Sequence, residues 1–125
     1  VVLFQCPGSF LPSRENVANF RSFFAQVEHE EFLLAWEPRG EWPEELVRDL
    51  CAEFQLLHCV DPFARDRLHG AGYWRLHGRG GYRYRYTDAD LERLAMMKAR
   101  NNPVYIFFNN VWMKEDALRF QADSY

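Results

Sequence analysis

At 125 residues, with 48% hydrophobic, 17% aromatic and 26% charged side chains, the chain can bury a core, which excludes the disordered, collagen-like and mucin-like classes. The length sets an expectation of a single domain over 1–125 and falls short of the roughly 250 residues of a closed eight-unit barrel. Net charge is only −3, which argues against bulk electrostatic attraction to nucleic acid or a membrane surface.

No apolar run approaches the roughly 18 to 20 residues of a membrane span, and the opening VVLFQCPGSF has neither a basic nor a long apolar region of a targeting signal. Three cysteines, Cys6, Cys51 and Cys59, make an odd number without a CxxC, so reduced thiols and a cytoplasmic location are expected. The charge is unevenly spread. Residues 14–53 hold ten acids against four arginines, whereas 62–86 hold six arginines against the single acid Asp66. An anion would prefer the second stretch.

In chain order, Val1 to Cys6 reads as a buried strand, short, apolar and ended by polar chemistry. Arg14 to Val27 follows as an amphipathic helix, with Val17, Phe20, Phe24 and Val27 on one face and Ser13 as its cap. Phe32 to Glu37 is the second strand, and Pro43 opens a helix carrying Glu44 and Glu45 in its first turn. Leu56 to Asp61 is the third strand; the link from Asp61 to Tyr73 shows no helical period and reads as a loop. Tyr73 to His77 is the fourth strand. Thr87 with Asp90 resembles a capping box ahead of Leu91, Leu94, Ala95 and Lys98. Val104 to Asn109 is the fifth strand and Met113 to Ala122 a closing helix.

Strands alternating with helices imply an α/β fold with parallel strands whose C-terminal ends share one edge, where ligands bind. Counting by twos predicts one inward set: Val1, Leu3 and Gln5; Leu33, Ala35 and Glu37; Leu57, Cys59 and Asp61; Tyr73, Arg75 and His77; Tyr105, Phe107 and Asn109. The set is polar at the rim and apolar beneath. Arg75 lies one step deeper, where a charge needs a partner, with Glu37 and Asp61 as the available ones. Trp36, Trp74 and Phe108 alternate toward the helices.

The segments LFQCPGSF, WEPRGEW, Asp61 followed by Pro62, YWRLHGRGGYRYRY with DADLERLA, and YIFFNN resemble, in order and approximate spacing, the C-terminal part of the domain-of-unknown-function 72 (YecE-like) family. The resemblance runs over essentially the whole chain. It implies the C-terminal five-eighths of a (β/α)8 TIM-like barrel, strands four to eight, with the family's first three units lacking a counterpart. It carries over Gln5 and Pro7, Glu37, Arg39 and Trp42, Asp61, Arg75, His77, Gly78 and Arg79, Tyr82 and Tyr84, and Asn109 and Asn110 as matching positions, and it supplies no reaction. Five strands with open edges need covering. The missing units could belong to a longer chain, come from another chain, or be replaced by self-association.

The expected rim thus gathers acids, a histidine, arginines and amides, as barrel enzymes do. His77, Glu37 and Asp61 are the candidates for general acid or base work. Gln5, Arg39, Arg75, Arg79, Tyr82, Asn109 and Asn110 are the candidates for holding ligand. A structural polar network in which Glu37 and Asp61 neutralise Arg75 is the competing reading. HGRGG at 77–81 offers backbone N–H groups and a guanidinium suited to phosphate, or simply a tight turn. RYRY at 83–86 interleaves arginine with aromatic rings, as single-stranded nucleic acid binders do, or as an edge with packed tyrosines and solvated arginines does. One rim histidine without an HxH or HExxH pattern argues against a metal. His29 reads as a solvated turn residue, His58 and His69 have no partner spacing, Cys59 lacks an activating base, and Cys6 and Cys51 read as packing residues. The reading reached is a barrel protein, of undetermined cofactor, binding or acting on a phosphorylated small molecule or phosphodiester. A nucleic-acid-binding module or a non-catalytic assembly domain is the alternative.

Overall fold

The computed structural model describes residues 1–65 and 72–122; Asp66, His69 and their neighbours lie outside the described residues. The chain is α/β and divides into two compact units, residues 1–59 and 60–125. In the first unit β1 (Val2–Cys6), β2 (Leu34–Pro38) and β3 (Leu56–Val60) pair in parallel. The register sets Leu3 beside Ala35 and Ala35 beside Leu57, with Gln5 beside Glu37, which are the inward residues expected from the period of two. Trp36, on the other face, is fully buried against Phe20, ring centroids 4.4 Å apart.

Two helices cover that face. In α1 (Arg14–Gln26) the Ser13 hydroxyl accepts the Asn16 N–H, and Phe20 and Phe24 are the buried positions. In α2 (Glu44–Glu53) Pro43 takes the cap position just ahead of the first helical residue and offers no side-chain acceptor, so the start rests on its fixed φ and on Glu44 and Glu45. Val47, Leu50 and Cys51 face the same aromatic cluster. Trp42 joins it edge-on to Trp36 and donates its indole N–H to the Phe10 carbonyl at 2.7 Å. Gly40 is obligatory here: a Cβ would stand 2.8 Å from the Phe10 oxygen and 2.9 Å from that of Gly8.

In the second unit β4 (Tyr73–Leu76) and β5 (Tyr105–Phe108) pair in parallel, Arg75 beside Phe107. One face carries Trp74, Leu76, Ile106 and Phe108 onto α3 (Asp88–Asn101) through Leu91 and Leu94, and onto Phe120 of α4 (Met113–Ala122). The other face is an aromatic ladder in which Tyr73 and Phe107 stack at 5.0 Å. The Thr87–Asp90 capping box forms as expected, and Asn102 closes α3 in the left-handed region, its N–H on the Lys98 carbonyl. A groove of about 510 Å³ follows β5 between Lys98, Met113, Lys114 and Phe120; it holds none of the polar residues expected at the strand ends.

Candidate functional site

The polar groups of the second unit collect where β4 and β5 end. Asp61 holds the start of this arrangement: one carboxylate oxygen accepts the Phe63 N–H at 3.0 Å and the other the His77 N–H at 2.9 Å. It thereby ties the start of the second unit to the end of β4. His77 meets Asn109, the residue after β5, with the amide nitrogen 3.2 Å from Nδ1. An amide nitrogen donates, so in this contact Nδ1 is the acceptor. Asn109 is itself fixed by its backbone N–H on the Leu76 carbonyl.

After His77 the chain turns sharply. Gly78 has φ 93°, and a Cβ there would lie 2.2 Å from the Gly81 oxygen, so no other residue fits. Its N–H goes to the Tyr86 hydroxyl at 2.8 Å, while the Gly81 N–H goes back to the Gly78 carbonyl. The row of unpaired N–H groups expected from HGRGG is therefore shortened, because Asp61 takes the His77 N–H, the Tyr86 hydroxyl takes that of Gly78, and the turn itself takes that of Gly81. Burial first, and the charge of Asp61 second, push the Tyr86 phenol well above its ordinary value, so this hydroxyl keeps its proton at any ordinary pH.

Asp90 is the centre of a second cluster. Its Oδ1 accepts Arg79 Nη1 at 2.6 Å, and its Oδ2 accepts the Tyr84 hydroxyl at 2.6 Å together with the Thr87 N–H and hydroxyl. Burial alone would raise this carboxyl; the hydrogen bonds from Tyr84, Thr87 and Arg79 outweigh it and bring it down to about 2. The same contact raises both the Tyr84 phenol and the Arg79 guanidinium. Arg79 is half exposed, and its Nε–Nη2 edge has no partner among the described residues. That edge is the planar fork that matches a carboxylate or phosphate.

A third carboxylate is wholly interior. Asp116 accepts the Tyr86 N–H, the Asn110 amide at 2.7 Å and Arg119 at 2.9 Å. Arg119 continues to the Tyr86 carbonyl and to Asp88, clamping α4 to the start of α3. Asn110 is buried, and its amide nitrogen serves Asp116 and the Tyr84 carbonyl, leaving Oδ1 without a partner among the described residues.

Among the remaining expected residues, Arg75 is half-buried on β4 and Tyr82 is 60% exposed. Gln5 is exposed on β1, and buried Glu37 on β2 lies 3.7 Å from exposed Arg39. The second unit thus brings Asp61, His77 and Asn109 into one chain of contacts, and Asn110 into another; the first unit brings Glu37 and Arg39 together. Asp90, Asp116, Tyr86 and Arg119 were missed as organisers. Asp90 reads from sequence as a cap alone, and nothing in the pattern marks Asp116 as buried. The cysteines are free, and burial pushes the Cys51 thiol up to about 12, removing it from thiolate chemistry. Among the described residues no group of three His, Cys, Asp or Glu side chains is placed to hold a metal ion, and no helix is long and apolar enough to cross a membrane.

No curated protein matches the chain. A crystal structure of a DUF72 family protein from Enterococcus faecalis V583 is similar, with a TM-score of 0.70 at 20% identity, over 96% of this chain and 56% of that one. The present chain therefore spans just over half the length of that protein, and the likeness carries the fold. The family described as "Protein of unknown function DUF72" matches residues 1–123. The chain belongs to the DUF72 family.

Proposed function

We propose that the strand-end rim of the second unit binds a phosphate-containing small molecule or a phosphodiester, and that the chain is the C-terminal five-eighths of a TIM-like barrel. The observation that carries the binding reading is Arg79, pinned at Nη1 by a buried carboxylate while its Nε–Nη2 edge meets no partner among the described residues. A guanidinium oriented before binding loses less freedom when an anion docks. His77 stands two residues away, its ring held by the Asn109 amide, and brings an imidazole beside the bound anion as the candidate general acid or base of a turnover reaction. Asn109 and Asp61 then act as positioning residues for His77, through the ring and the backbone N–H respectively. Gln5, Glu37 and Arg39 stand at the strand ends of the first unit. The barrel reading is supported by parallel strands alternating with helices and by the similar DUF72 structure. Its remaining units would come from flanking sequence, another chain or a second copy.

The test is calorimetric titration of the chain with pyrophosphate and with a dinucleotide. Arg79→Gln is expected to weaken binding at least tenfold and His77→Ala by a smaller factor. Unchanged affinity in both variants discards the site.

A further inference from the structure

Beside the Arg79 rim, the loop at 82–85 and the segment after β5 form one surface. The Val111 N–H donates to the Tyr82 carbonyl at 2.7 Å and fixes the two segments side by side. Each presents an exposed ring carrying a guanidinium: Arg83 lies 5.9 Å from the centroid of Tyr82, and Arg85 lies 5.0 Å from that of Trp112. The rings are 60% and 39% exposed, although aromatic side chains of this size ordinarily bury most of their surface. Residues 79–86 contain three arginines and no acid. We infer that the Tyr82–Arg83–Arg85–Trp112 surface binds single-stranded nucleic acid, its two rings stacking bases and its two arginines meeting the phosphates between them.

A ring with one face on a guanidinium still offers its other face and edge, and base stacking on such a ring accepts any base. A guanidinium held over a ring has its N–H edge turned outward, where a phosphate can use it. A duplex would keep its bases stacked on one another and leave the protruding rings unsatisfied, so the fit is to unpaired nucleotides. Of the tyrosines in RYRY, Tyr84 is held by Asp90 and Tyr86 is buried; neither offers a platform, and Trp112 takes that place. The inference rests on the phosphate reading of the rim for a further backbone contact at Arg79.

Fluorescence anisotropy of a labelled twelve-residue oligothymidylate on the full chain, at several salt concentrations, tests it. Expected are saturable binding, a log–log salt slope of about −0.7 per phosphate contacted, and a loss of roughly tenfold for each of Trp112→Ala and Tyr82→Ala. Both rings are exposed, so circular dichroism of the variants should be unchanged. Absence of oligothymidylate binding, binding indifferent to both ring variants, or equal affinity for poly-glutamate overturns the inference. Arg79-dependent pyrophosphate binding without oligothymidylate binding overturns it while leaving the small-ligand reading in place. Ring-dependent oligothymidylate binding without pyrophosphate binding does the reverse.

Discussion

The two units of this chain have the same kind of parallel β/α layout and are held together by different physics. The first packs seven of its aromatic rings into one cluster around Trp36, and its strand ends carry a 3.7 Å ion pair between Glu37 and Arg39. The second has its own apolar layer under Trp74, but three carboxylates, Asp61, Asp90 and Asp116, each accept two or more hydrogen bonds where the strands end. Aromatic packing is non-directional and indifferent to pH. A carboxylate with several donors fixes loops in one geometry and makes that geometry depend on its charge. The difference marks the second unit as the one built to hold polar groups in defined positions.

Four measurements sharpen or break that contrast. Trp36→Ala should remove about 3–5 kcal/mol from stability in urea unfolding, with little change in how that stability varies with pH; a loss below about 1 kcal/mol would mean the aromatic cluster is not what holds the first unit. Asp116→Ala leaves Arg119, Asn110 and the Tyr86 N–H without their shared acceptor and should cost about 3 kcal/mol, read as lost hydrogen-exchange protection in α3 and α4 and not in α1. Acid should loosen the second unit first. The Asp90 carboxyl is depressed from 3.8 to about 2 in the folded chain, so its contribution is complete above the unfolded value and is lost as pH falls through the folded one. The contribution, on the order of 1–2 kcal/mol, should fade between about pH 5 and 1, and Asp90→Asn should flatten that part of the stability curve. Thr87→Ala removes only the hydroxyl half of the capping box and should cost about 1 kcal/mol, seen as fraying of the first turn of α3 in amide exchange.

Much of the layout was legible because it rests on local pattern. The alternation of Ala35 with Trp36 and of Arg75 with Trp74 and Leu76 marks strand faces directly, and Ser13, Thr87 and Asp90 announce helix starts. The rim was legible to the extent that strand-end residues come together: His77 does meet Asn109. What sequence does not carry is the division of hydrogen bonds among groups that are distant in the chain. Asp116 and Tyr86 are thirty residues apart, and Arg79 and Asp90 eleven; no period or motif links them. Likewise the glycines of HGRGG promise open N–H groups, but the Tyr86 hydroxyl takes that of Gly78 and the turn takes that of Gly81.

The most direct test of the account is a nitrogen–proton correlation experiment on the Arg79 side chain and the Gly78–Gly81 amides during a pyrophosphate titration. The account predicts saturable shifts of the Arg79 Nε–H and of this loop, together with the His77 ring, that vanish in Arg79→Gln. Shifts confined to other parts of the chain, or identical shifts in the variant, would contradict it.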